Sequence, residues 1–182
     1  SANSEIIRSG AGELPWIMTE IQGGNNTYSA MAPLCPTKEE IVQWMWTIIG
    51  TQGKGGIFWS LNPRSSGIEA GEWAMLDFQD RPSDRLTAAS EVIKVIESRP
   101  DLFANAREVE SGVNLIYIRE SLWAEKKMEM PSTPRYEARE EGGVMKSVLG
   151  YFETLSELGI NCNIKEFGEF DFTQEWRYYG TT

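Results

Sequence analysis

Glu20 is the first candidate for chemistry in this sequence. It lies in residues 15–24 (PWIMTEIQGG), where the pattern predicts a short apolar strand over 14–20 that ends on a carboxylate and precedes two glycines. Barrel-type α/β enzymes carry their catalytic groups in the loops that follow the strands. The alternative is that Glu20 only caps a turn or faces solvent, which is the commoner role of an acid at the end of a strand.

The absence of histidine restricts the chemistry more than any other feature. The sequence of 182 residues contains no histidine and only two cysteines, Cys35 and Cys162. Ser-His catalysis, Cys-His catalysis and His-ligated zinc are therefore excluded within this chain. Two cysteines this far apart predict neither a disulfide framework nor a metal motif. Acid–base chemistry falls to carboxylates, Tyr or Lys, and the sequence predicts no cofactor and no metal.

Composition narrows the class of ligand. A formal net charge of −10 argues against nucleic acid and against an anionic membrane as the main partner. A neutral ligand such as a sugar is compatible with this charge. The seven Trp, six Tyr and seven Phe either fill a ring-rich core or form stacking surfaces for sugar rings. No apolar run approaches the length of a membrane span, and the first residues lack the pattern of a signal peptide, so the compartment stays open.

The next helix and strand provide the frame for Glu20. Thr37 and Glu40 form the pattern of a capping box, which predicts the start of a helix. Gly50 is expected to end that helix. Residues 57–61 (IFWSL) then predict a second buried strand.

This order of elements predicts where the loops lie. A strand–helix–strand unit implies two parallel strands joined by a right-handed crossover. The loops that follow both strands then leave the sheet at the same end, so Glu20 is expected near the loop 62–72. Ser83 is predicted to cap a further helix that stops before Pro100.

A break at residues 99–101 (RPD) divides the chain into two predicted domains, 1–99 and 100–182. The second domain is predicted to be another α/β piece. Its elements are a strand, a long polar loop, an amphipathic helix and a strand, over residues 113–118, 119–136, 137–158 and 160–167.

Several stretches resemble family 42 of the glycoside hydrolases, the β-galactosidase type. Residues 16–24 (WIMTEIQGG) are similar to the nucleophile strand of that family. Residues 56–61 (GIFWSL), 67–69 (GIE) and 73–77 (WAMLD) are similar to its last barrel strand and the following loop. The part after Pro100 resembles the start of its flavodoxin-like second domain, which is associated with trimer formation. The resemblance implies an α/β fold: the last strands and helices of a (β/α)₈ TIM barrel, followed by a partial flavodoxin-like α/β domain.

The same resemblance implies a retaining β-glycosidase in which Glu20 is the nucleophile. One carboxylate attacks the anomeric carbon and another, about 5–5.5 Å away, protonates the leaving oxygen. Glu69 matches a family glutamate that binds sugar hydroxyls. Trp59 and Tyr28 are predicted to line the sugar subsite, although packing explains either of them equally well. The implied partner is a β-galactoside or a related carbohydrate, bound by a homo-oligomer.

Two features depart from the family. Glu72 occupies the position where the family often has histidine, which bears on selectivity for galactose. The family's acid/base glutamate, at the end of the fourth strand, has no counterpart here, since a whole barrel takes about 250 residues. Two other interpretations stay open: a non-catalytic, glycosidase-derived module for carbohydrate binding or assembly, and an unrelated doubly wound protein. For a nucleotide-binding protein of the latter type, Gly23-Gly24 lacks the G-x-G-x-x-G spacing.

Overall fold

The computed structural model describes residues 1–27, 32–109, 111–127 and 142–173. The chain divides into two compact units. One unit is residues 13–108, and the other combines residues 1–12 with the described residues from 109 onward. No helix in the described ranges combines the length and the apolar character needed to cross a membrane.

The described residues of the first unit form two strands and three helices. In chain order these are β1 (Met18–Gln22), α2 (Lys38–Gly50), β2 (Gly56–Trp59), α3 (Asp84–Ser98) and α4 (Pro100–Asn105), and helix α1 (Ala2–Ala11) precedes them in the other unit. β1 and β2 pair in parallel, with Ile21 opposite Phe58 and Gln22 opposite Trp59. The parallel strand–helix–strand unit predicted from the sequence is therefore present.

Local side-chain caps begin both long helices of this unit. The Glu40 amide donates to the Thr37 hydroxyl at 3.2 Å, and the Thr37 amide donates to the Glu40 carboxylate at 2.8 Å. The Leu86 amide donates to the Ser83 hydroxyl at 3.3 Å. These bonds occupy backbone N–H groups that have no partner inside the helix, so both helices start at the predicted residues.

Helices α2 and α3 cover one face of the β1–β2 sheet. The core between them consists of Ile41, Met45, Met75, Ala89 and Val92. Phe58 packs against this core from β2. Side chains alternate between the two faces of a strand, so the neighbours of Phe58 point the other way. Those neighbours, Ile57 and Trp59, are 55% and 39% exposed.

The first compact unit ends at residue 108, whereas the sequence predicts a domain boundary at residue 99. The difference arises from α4, which the sequence pattern does not reveal because it follows α3 after a single residue. The ring of Phe103 on α4 lies 6.0 Å from that of Trp46 on α2. This contact keeps the segment after Pro100 within the first unit.

The described residues of the second unit form α1 and five later elements. These are β3 (Asn114–Tyr117), α5 (Arg119–Lys127), α6 (Gly143–Glu157), β4 (Asn163–Glu166) and a short 3-10 helix (Phe167–Glu169). β3 and β4 are parallel, with Asn114 opposite Asn163. Arg8 of α1 forms a 2.8 Å ion pair with Glu5 and donates to the Asn163 side chain. This network holds α1 against β4, so residues 1–12 belong to this unit and not to the first.

One element of the second unit differs from its prediction. Residues 119–127 (RESLWAEKK) form helix α5 where a long polar loop was expected. The segment is polar but has neither Gly nor Pro, and most of its residues favour a helix. The described residues place two strands in each unit, so the barrel and the flavodoxin-like arrangement stay predictions.

Candidate active site

Glu20 lies within β1 and not at its end. The predicted strand 14–20 is shifted, because β1 runs from Met18 to Gln22. Pairing with β2 extends it, and the Gly23 amide still donates to the Trp59 carbonyl at 2.8 Å. The Glu20 side chain is exposed. Its carboxylate makes no hydrogen bond or ion pair with the part of the chain that the structure describes.

Gln22 and Trp59 lie on the face of the sheet away from α2 and α3. Ile21 is buried on the helix side, at 6% exposure, so its strand neighbour Gln22 points to the opposite face. Trp59 lies opposite Gln22 in the register and shares that face. The Gln22 amide nitrogen donates to the Gly24 carbonyl at 2.8 Å. This face therefore presents an amide and an indole together. Glu20 is exposed next to Ile21, at the point where the register between β1 and β2 shifts.

The loops that follow β1 and β2 are hydrogen-bonded to each other. The Trp73 amide donates to the Asn25 carbonyl at 2.7 Å, and the Ser60 amide donates to the Trp73 carbonyl at 2.7 Å. A Cβ atom on Gly24 would lie 2.4 Å from the Ala74 carbonyl oxygen. Two backbones can approach this closely only where glycine leaves room. The chain segments that follow the two strands thus meet at one end of the sheet, as expected, and the position of Glu20 near the loop 62–72 stays a prediction.

Arg64 joins two of the predicted site residues. Its Nη1 atom lies 2.7 Å from Oε2 of Glu69, and its Cζ atom lies 5.3 Å from the centre of the Trp59 ring. The structure thus brings Trp59 and Glu69 together through a residue that the sequence analysis did not select. The only signal in the sequence is a basic residue five positions before an acid, in a loop that contains two glycines.

The other two residues singled out from the sequence have different positions. Glu72 is 1% exposed, and its amide donates to the Glu69 carbonyl at 3.1 Å. Its side chain is thus buried, and a buried carboxylate requires polar partners. Tyr28 lies outside the described residues. No group of three or more Cys, Asp or Glu side chains in the described ranges could hold a metal ion.

No protein-family model and no curated protein matches this sequence. Solved structures do match it in fold. The β-galactosidase from the psychrophilic Marinomonas ef1 superposes with a TM-score of 0.69 at 19% identity, over 90% of this chain and 24% of that chain. Gan42B, a GH42 β-galactosidase from G. stearothermophilus, gives 0.73 at 16% identity, over 94% and 24%. The β-galactosidase of the Antarctic haloarchaeon Halorubrum lacusprofundi gives 0.66 at 15% identity, over 90% and 22%.

The chain has the fold of part of a family 42 β-galactosidase. It spans about a quarter of the length of these structures, since it covers 24% of the first two. The family resemblance inferred from the strand motifs is confirmed at the level of fold. Likeness at 15–19% identity concerns the fold alone, so the roles of Glu20, Glu69 and Trp59 stay predictions.

A cavity of about 1000 Å³ lies on the helix side of the same unit. Its wall includes Ile21 and Phe58, together with residues of α2, α3 and α4. Both of these strand residues lie on the helix side of the sheet. None of the predicted site residues in the described ranges lines this cavity. The candidate site of this family 42-like unit is therefore the open sheet face with its two loops.

Proposed function

We propose that the chain carries the nucleophile half of a retaining β-glycosidase site for β-galactosides or related sugars. One observation carries the proposal. Glu20 on β1 and Trp59 on the paired strand β2 are both exposed, and Arg64 connects Trp59 to Glu69, in a chain with the fold of part of a family 42 β-galactosidase. An exposed carboxylate, an exposed ring and a hydroxyl acceptor are the groups that such a site needs on one side of the sugar.

The proposed reaction begins at Glu20. Its ionised carboxylate attacks the anomeric carbon, the bond to the leaving oxygen breaks, and a glycosyl ester forms on Glu20. Water then cleaves the ester and regenerates the carboxylate. The absence of a hydrogen-bond partner among the described residues leaves the Glu20 oxygens accessible for this attack.

Trp59 and Glu69 are proposed to hold the sugar. The Trp59 ring is 39% exposed and offers a flat apolar surface, which suits the C–H face of a pyranose. Glu69 uses one oxygen for Arg64. A carboxylate has two oxygens and several lone pairs, so it can accept hydroxyl groups at the same time.

The proton donor of the reaction is proposed to lie outside these 182 residues. The family resemblance assigns it to a strand without a counterpart here, and the chain spans about a quarter of the matched structures. We therefore expect no turnover of ordinary β-galactosides by this chain alone. A substrate whose leaving group needs no proton should still react with Glu20.

Covalent trapping tests the nucleophile directly. The 182-residue chain is incubated with 2,4-dinitrophenyl 2-deoxy-2-fluoro-β-galactoside, whose leaving group departs as a stable anion. Intact mass spectrometry should show one added fluorogalactosyl group, and peptide mapping should place it on Glu20. Glu20→Gln should abolish labelling. Glu13→Gln, a change of an exposed carboxylate just before β1, should not. A label on another residue, or labelling of Glu20→Gln, contradicts the assignment.

A second candidate function, a non-catalytic assembly module, is favoured by apolar side chains around the same sheet face. Ile57 and Leu61 are 55% and 52% exposed, and exposed apolar patches mark association surfaces. Sedimentation velocity of the chain and of Ile57→Lys distinguishes the two candidates. Self-association that Ile57→Lys abolishes, in a chain that the fluorogalactoside does not label, favours assembly.

A further inference from the structure

Arg64 occupies the space between the two predicted sugar contacts. The Arg64 side chain is 55% exposed and the Glu69 side chain is 26% exposed, and they pair at 2.7 Å. The guanidinium also lies over the Trp59 ring, 5.3 Å from its centre. A cation at this distance is attracted by the negative face of an indole. Trp59, Arg64 and Glu69 therefore form one contiguous polar and aromatic surface.

The loop that carries these residues is closed by backbone hydrogen bonds. The Gly71 amide donates to the Arg64 carbonyl at 3.0 Å, and the Ala70 amide donates to the Gly67 carbonyl at 3.1 Å. Gly67 and Gly71 adopt φ values of +91° and +75°, a conformation that glycine reaches without strain. The closed loop fixes the backbone positions of Arg64 and Glu69 relative to each other. An exposed ion pair contributes little to stability, so stability does not explain this arrangement.

The ion pair leaves hydrogen-bond donors on Arg64 and an acceptor oxygen on Glu69 available. A guanidinium has five N–H donors, and a carboxylate has two oxygens. The ion pair engages Nη1 of Arg64 and Oε2 of Glu69. A sugar hydroxyl both donates and accepts a hydrogen bond, so a donor beside an acceptor is the complement of a hydroxylated ring.

We propose that Arg64 is a sugar-binding residue that acts together with Glu69. The guanidinium donates to the oxygen of a hydroxyl group whose hydrogen is accepted by the Glu69 carboxylate, while the ring of the same sugar lies against Trp59. The inference rests on the proposed function, because it adds a residue to that sugar site. Since the charges of Arg64 and Glu69 cancel, and the chain carries a net charge of −10, the site fits a neutral sugar and not an acidic one.

The test compares sugars that lack single hydroxyl groups. NMR titrations of the 182-residue chain use methyl β-galactoside and its 3-deoxy, 4-deoxy and 6-deoxy analogues. One of these deoxy sugars should bind roughly tenfold more weakly than the parent to the wild-type chain, because a charge-assisted hydrogen bond is lost. In Arg64→Met the parent sugar should bind as weakly as that deoxy sugar, and the difference between the two should disappear. Arg64→Lys keeps the charge but lacks the planar guanidinium, so it should restore only part of the affinity difference between the two sugars.

A matched control separates this role from a general effect on the fold. Arg81 forms a similar exposed 2.7 Å ion pair with Asp77 in the same unit, and Arg81→Met should leave all four affinities unchanged. A uniform loss of affinity for every sugar in Arg64→Met, or no loss at all, overturns the role of Arg64 while the sugar site stands. A wild-type chain that binds none of the four sugars and is not labelled at Glu20 overturns the proposed function together with this inference.

Discussion

The amide of Trp73 donates to the carbonyl of Asn25 at 2.7 Å, which joins the loop after β2 to the loop after β1. The two residues are far apart in sequence, yet both loops leave the parallel sheet at the same end. The Ser60 amide, in turn, donates to the Trp73 carbonyl at 2.7 Å. The backbone of the second loop is therefore held between β2 and the first loop, which fixes the surroundings of the candidate site.

Gly24→Ala should destabilise the first unit. A Cβ atom at this position would lie 2.4 Å from the Ala74 carbonyl oxygen and 2.8 Å from the Ala74 nitrogen. Since backbone atoms cannot rotate away as side chains do, the two loops must separate. We expect a loss of about 1–3 kcal/mol in the free energy of unfolding, measured by urea denaturation.

Gly50→Ala is the matched control for this change. Gly50 is an exposed residue at the end of α2, with no atom within 4 Å of a Cβ placed there. Alanine should raise the free energy of unfolding by about 0.4–1 kcal/mol, because it restricts the unfolded chain. If Gly24→Ala behaves like Gly50→Ala, the close contact between the loops is contradicted.

Local signals in the sequence predict several elements correctly. Two helices begin at the expected positions, one at the capping box of Thr37 and Glu40 and one at Ser83, because a cap depends only on neighbouring residues. The parallel pairing of β1 and β2 follows from the length of the intervening helix, since such a crossover constrains the strand direction. The contact between the two loops then follows from the topology alone.

Interactions between distant residues account for the parts that the sequence does not predict. The end of β1 depends on pairing with β2, which moves Glu20 from the tip of the strand into its interior. The contact of Arg64 with Trp59 depends on how the loop closes. The assignment of α1 to the second unit depends on the bond between Arg8 and Asn163, which are 155 positions apart. No short-range pattern carries such information.

Met75→Ala should cost more stability than any exposed apolar change. Met75 is 2% exposed and belongs to the core under α2 and α3. Truncation removes buried apolar contacts and leaves a cavity, with an expected loss of about 2–5 kcal/mol. Ile68→Ala is the control, since Ile68 is 76% exposed and its change should stay within about 0.5 kcal/mol. Equal losses for the two variants in urea denaturation contradict the position of the core.

Arg8→Met should destabilise the second unit more than the double change Glu5→Met with Arg8→Met. The side chains of Arg8 and Glu5 are 12% and 9% exposed, and they pair at 2.8 Å. Removing one partner leaves a largely buried charge uncompensated, with an expected loss of about 3–5 kcal/mol. Removing both replaces the charges by apolar groups and should recover part of that loss. Urea denaturation of the wild-type chain, Arg8→Met and the double variant gives the result, and a double variant that is less stable than Arg8→Met argues against the pair.

The Asp77 carboxyl should titrate below pH 3.8. The backbone amide of Arg81 holds its pKa below the ordinary value of 3.8, assisted by the Gln79 amide and the Arg81 guanidinium. The folded pKa thus lies below the unfolded one. The carboxylate therefore contributes its full stabilisation above the unfolded pKa, and this is lost as the pH falls through the folded pKa.

A carbon-13 NMR titration of the Asp77 carboxyl should give a midpoint below 3.8, and Asp77→Asn should make the acid-induced loss of stability less steep. Arg81→Met removes the guanidinium but keeps both amides, so it should move the midpoint only part of the way back. A wild-type midpoint at or above 3.8 contradicts the hydrogen-bonded turn.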